Sequence, residues 1–139
     1  MDLQRGLIVG GDRARVNDPV QTVARTLVAL VCAASAGIHA ALVPEHYQEG
    51  GLRLGGAFAL SALLLGVAAV LVSRGTRTAL PVVVLLGTAL AYLLSRTTGI
   101  PLLIDEPEEP DVLGLVTTVA EVVAAAVAVL APHNREEDR

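Results

Sequence analysis

Apolar residues fall in four unbroken blocks along the chain, Thr26 to Val43, Leu54 to Val72, Ala79 to Leu94 and Val112 to Ala131. Within them there is neither the alternation of a half-buried strand nor the one-sided stripe of a surface helix. Each block is close to the ~20 residues a helix needs to cross a ~30 Å hydrocarbon layer, the third being short. The pattern therefore predicts an all-α fold, a four-transmembrane-helix bundle running up-down-up-down, with helices at about 26–43, 54–72, 79–94 and 112–131. A polar tail over 1–25 precedes this membrane domain (26–131), and a charged tail over 132–139 follows it. A soluble helical core is the competing reading, but it would leave almost no polar face for water.

The breaks between blocks have their own signals. Pro44 lacks the N–H of a continuing helix and biases Val43 away from helical angles, so the first helix should end there. Pro44 can instead open a short turn over 44–48 that Gly50-Gly51 closes. The connection over 73–78 is short, which makes the second and third helices antiparallel neighbours. The one over 95–111 is long and holds Pro101, Pro107 and Pro110 with five acids. Small residues four apart, Ala62 with Gly66 and Gly87 with Ala91, predict close helix approach in lipid.

Charge adds an orientation. All ten basic residues are Arg, and eight of them (5, 13, 15, 25, 74, 77, 135 and 139) flank one side of the blocks, leaving Arg53 and Arg96 on the other. The positive-inside rule then puts both termini in the cytoplasm. The opposite segments carry Glu45, Glu49, Asp105, Glu106, Glu108, Glu109 and Asp111. That face should gather cations and repel anions. The single Cys32 excludes an internal disulfide. Ala34-Ser35-Ala36 has the look of a signal-peptide cleavage site, but the apolar run continues through Val43 as a full span.

Polar side chains inside the blocks cluster towards the acidic side. His39, Thr88, Thr117, Ser61, Ser35, Glu121 and Cys32 lie about 6 to 16 Å deep at ~1.5 Å per helical residue. The other half is apolar throughout, which suits a pocket open to the outside and plugged below rather than a pore. Glu121 stands out, since an ionised carboxylate near the bilayer centre costs at least ~2.5–3.5 kcal/mol. It shares a face with Gly114, Thr117, Ala124 and Ala128, and it either serves a ligand or is a protonated group bonded to Thr117. Cys32, Ser35 and His39 share another face, with His39 either a metal or proton site or an interhelical hydrogen-bonder. Glu45 and His46 come back over His39 if Pro44 turns the chain, and Arg96 should pair with an acid at the pocket mouth.

The segments GIHAALVPEHYQEGG, LLSRTTGIP and the acidic run leading to Glu121 resemble a group of small four-helix membrane proteins from high-GC bacteria. The shared features are His39, Pro44-Glu45-His46, Ser95-Arg96-Thr97-Thr98-Gly99-Ile100-Pro101 and Glu121, over about residues 26–131. The resemblance implies a fold and no activity.

Three functional expectations follow. The first is a binding protein whose pocket holds a cation, copper or zinc, through His39, Glu45, His46 and Glu121, with Cys32, Ser35, Arg96 and Thr117 in support. The second is an accessory subunit holding a quinone or haem, and the third a small proton-coupled exporter. Expected partners are the lipid bilayer and either a second copy or a larger membrane complex. Nucleic acid is not among them, and no catalytic residue is nominated.

Overall fold

The computed structural model describes residues 19–76, 78–104 and 106–130. They form three helical elements, α1 (Pro19–Ser73), α2 (Leu80–Thr97) and α3 (Val112–Leu130), each packed against the other two. All three are long and apolar enough to cross a membrane.

α1 is a hairpin. Its 55 residues would reach about 82 Å if straight. Instead the Arg25 guanidinium donates to the carbonyls of Val72 and Ser73, at 3.4 and 3.2 Å, which brings the two ends of the element together. The reversal occurs at one residue, Gly51, whose φ of 62° and ψ of −152° fall in a region essentially reserved for glycine. Beside it the arms approach closely, and a Cβ on Gly55 would lie 2.8 Å from Tyr47 Cβ. At the far end the second arm closes with Gly75 N–H on Val72 O (2.9 Å) and Thr76 N–H on Leu71 O (3.0 Å). This is the paired closure of a Schellman motif, and Arg25 adds a positive charge at the same carbonyl end.

The structure thus corrects two expected boundaries. Pro44 sits inside the helix rather than ending it, and the first arm continues to the Gly50-Gly51 pair. Proline is tolerated where only one ladder bond is lost and the helix has packing on both sides of the break. At the other end, residues 19–25 belong to α1, with Pro19 supplying the fixed φ that suits a first helical turn. The expected tails over 1–18 and 132–139 lie outside the described residues.

Below the Gly51 end the three elements share an apolar core. Cys32, Leu65, Leu85 and Ala124 are fully buried there, with Val28, Ala68, Val84 and Ala125 around them. The surface is aliphatic, with Leu63, Val83 and Val116 all more than 60% exposed. Small residues do not mediate the contacts where their spacing predicted it. A methyl added at Gly66 or Gly87 would meet nothing within 4 Å, and Ala91 is exposed. The close approaches are instead glycine against an aromatic side chain, at Gly55 with Tyr47 and Gly114 with Tyr92.

Gly51→Ala should strain the reversal by roughly 1–3 kcal/mol. Thermal unfolding of the detergent-solubilised protein should show a lowered midpoint, and an unchanged midpoint would mean the hairpin does not depend on that backbone conformation.

Candidate functional site

At the Gly51 end the bundle opens into a cavity of about 520 Å³. His39, His46 and Phe58 line one wall from the α1 hairpin, Thr88 and Tyr92 line another from α2, and Thr117 and Glu121 come from α3. Glu121 is only 1% exposed. It lies over the apolar core, so the cavity is closed at that depth.

The partner that Glu121 finds is Ser35, not Thr117. Ser35 Oγ, itself buried, donates to Glu121 Oε1 in a short hydrogen bond. Thr117 Oγ1 donates instead to Leu113 O (2.8 Å), four residues back on its own helix. A threonine hydroxyl has this carbonyl always within reach, whereas a bond to Glu121 would compete with it. Ser35 Oγ also lies 3.4 Å from His39 Nδ1. A continuous polar chain therefore joins Glu121, Ser35 and His39, spanning the ~9 Å of helical rise expected to separate the carboxylate from the imidazole.

The imidazoles have assignable tautomers. His39 Nδ1 is 2.9 Å from Ser35 O, and His46 Nδ1 is 3.0 Å from Leu42 O. A carbonyl only accepts, so each Nδ1 carries a hydrogen and each neutral ring keeps its lone pair on Nε2. Phe58, the single Phe of the chain, meets both rings, stacked on His46 with centroids 3.7 Å apart and tilted against His39 at 5.5 Å.

The mouth is tied together by Arg96 and Asp111. Arg96 Nη1 pairs with Glu108 (2.7 Å) and Nη2 with Asp111 (2.8 Å), while its guanidinium carbon lies 5.0 Å from the Tyr92 ring centre. Asp111 also accepts from Gly114 N–H (2.6 Å), capping α3, and its carbonyl accepts from Tyr92 OH at 3.1 Å. The connection expected over 95–111 begins later, since residues 95–97 are the last turn of α2. It contains a tight turn in which Leu103 N–H returns to Ile100 O, with Leu102 held at a φ of 72°. Ile100 and Ile104 then bond each other at 2.8 Å and line the cavity together with Leu103.

Of the residues nominated from sequence, His39, Glu45, His46, Glu121, Arg96 and Thr117 line this cavity. Ser35 is buried behind Glu121, and Cys32 lies in the apolar core. Sequence reasoning missed Phe58 and Tyr92, although a lone Phe and one of two Tyr in a chain so poor in aromatics were visible signals. Among the described residues no three His, Cys, Asp or Glu side chains are grouped closely enough to hold a metal ion. His39, Glu45, His46 and Glu121 thus share a cavity without forming a ligand set. No protein-family model, curated protein or solved structure matches this chain.

At Gly114 α3 meets α2 closely, since a Cβ there would collide with Tyr92 Cε2 and approach Asp111 Oδ2. Gly114→Ala should cost roughly 1–3 kcal/mol through overpacking and loosen the mouth. Chemical or thermal unfolding in detergent measures this, and wild-type stability would show that the two helices are free to separate.

Proposed function

We propose that the protein is an integral membrane binding protein, a bundle of four spans that holds a small organic ligand in the cavity at its Gly51 end. The two arms of α1 would supply the first two spans, with α2 and α3 the third and fourth. Aliphatic side chains over the outer surface suit lipid as the solvent. The eight-to-two arginine distribution would place both termini in the cytoplasm and the cavity mouth outside. By the resemblance in its helix-one and helix-four motifs, the chain would sit in a bacterial plasma membrane.

The cavity itself is the observation that carries this reading. About 520 Å³ falls within the ~300–1,000 Å³ of small-molecule sites. Its lining follows the same rule, with aliphatic and aromatic walls and a few placed polar groups. The apolar core beneath Glu121 offers no polar continuation, so binding is favoured over passage. A copper or zinc ion held by the two imidazoles alone is the second reading, because each neutral ring keeps a free Nε2, the atom that ligates metal when Nδ1–H is held by a carbonyl.

Native mass spectrometry of protein extracted from its own membrane should show a small organic molecule bound. Ala57→Trp, which fills the cavity from the second arm, should remove it without unfolding the bundle. Stoichiometric copper or zinc that is lost in His39→Ala would favour the metal instead. Wild-type protein with neither molecule nor metal would contradict a binding role.

A further inference from the structure

Most of the cavity's polar hydrogens are already committed, and that decides what it can recognise. Ser35 gives its hydroxyl hydrogen to Glu121 and Tyr92 gives its own to Asp111 O. Thr88 Oγ1 donates to the Val84 and Leu85 carbonyls, both at 3.0 Å, and Ser95 Oγ donates to Tyr92 O at 2.8 Å. Thr117 donates to Leu113 O. The Nδ1–H groups of His39 and His46 are held by the carbonyls one turn back. Both terminal nitrogens of Arg96 are held by Glu108 and Asp111. Arg96 Nε–H is unpartnered among the described residues, but it is sealed from solvent and hence from the cavity.

What remains facing the cavity is almost entirely acceptor. His39 and His46 line the cavity, and each ring in its neutral form carries its lone pair on Nε2. Glu121 has a protein donor on one of its two oxygens, and the second oxygen has none among the described residues. Glu45, Glu49 and Glu109 add carboxylates at the mouth that Arg96 does not hold. The hydroxyls of Ser61 and Thr118 can serve either way. A ligand with only acceptors, such as an oxidised quinone, would find its oxygens opposite lone pairs. A protonated amine would satisfy them, and its charge would meet an excess of carboxylates over the one guanidinium.

On the reading that the cavity is a ligand site, we propose that its ligand is an organic cation, a primary or secondary ammonium carried on an apolar or aromatic body. The ammonium is directed to the second oxygen of Glu121 and to the imidazole Nε2 atoms, and the body lies along Phe58 and the Ile100–Ile104 turn. Charge-assisted hydrogen bonds to a desolvated carboxylate give the discrimination.

Two probes of similar size separate the possibilities, phenethylammonium as a donor and acetophenone as an acceptor. Titration calorimetry would use the full chain in lipid nanodiscs, with empty nanodiscs subtracted. Phenethylammonium should bind at least about tenfold more tightly than acetophenone. Glu121→Gln should lower phenethylammonium affinity by at least about tenfold and leave that of acetophenone unchanged. Acetophenone binding as well as the amine, or better, overturns the cation inference while leaving the ligand site standing. If neither probe binds, both readings fail. Should Glu121→Gln not fold, the comparison of the two probes on the wild-type chain still decides.

Discussion

A carboxylate buried in an apolar bundle has to find a donor, and here it finds one 86 positions away in sequence, on Ser35. Carboxylate insertion costs at least ~2.5–3.5 kcal/mol near a bilayer centre, so this bond constrains how the helices can be arranged. It fixes the height and rotation of α3 against the first arm of α1. With that rotation set, Ala124 and Ala125 turn into the core and the valines at 116, 119 and 123 turn outward. The same bond orients the Ser35 hydroxyl so that His39 completes the chain above it. The cavity floor and the helix packing thus depend on one contact.

The mouth obeys a similar economy of groups. Asp111 caps α3, pairs with Arg96 and takes the Tyr92 hydroxyl on its backbone carbonyl. Salt bridges on a surface are worth little, ~0–1 kcal/mol, but Arg96 is largely covered and holds both partners at once. With Gly114 allowing Tyr92 close to α3, the connection between the two helices is pinned at its base. The turn around Leu102 projects from it, 80% exposed at its tip.

Much of this was legible in the apolar blocks, because membrane-length runs read directly as helices and need no partner to be recognised. The all-helical class and the segregation of polar groups towards one end of the bundle both followed from such runs and their inserts. What the chain did not reveal was set by tertiary contacts. Pro44 carries a strong local stop signal, yet packing of His46 on Phe58 just beyond it keeps the helix going to Gly51. Thr117 lay one turn from Glu121 and was the obvious local partner. Ser35 displaced it because the hairpin brings a hydroxyl from another element to the carboxylate, a juxtaposition no spacing within one helix can encode. Helix contacts through Gly66 and Gly87 failed for the same reason, since the rotation fixed by Glu121 and by the Gly55 and Gly114 contacts leaves those residues off the interfaces.

The central claim is that Ser35 and Glu121 act as a pair that organises the bundle and the cavity above it. A double-mutant cycle with Ser35→Ala, Glu121→Gln and both together, read by reversible unfolding in detergent, tests it most directly. The account predicts non-additive losses, with a coupling energy of about 0.5–2 kcal/mol between the two sites. Losses that simply add would contradict it, because they would mean that Glu121 is accommodated without the hairpin.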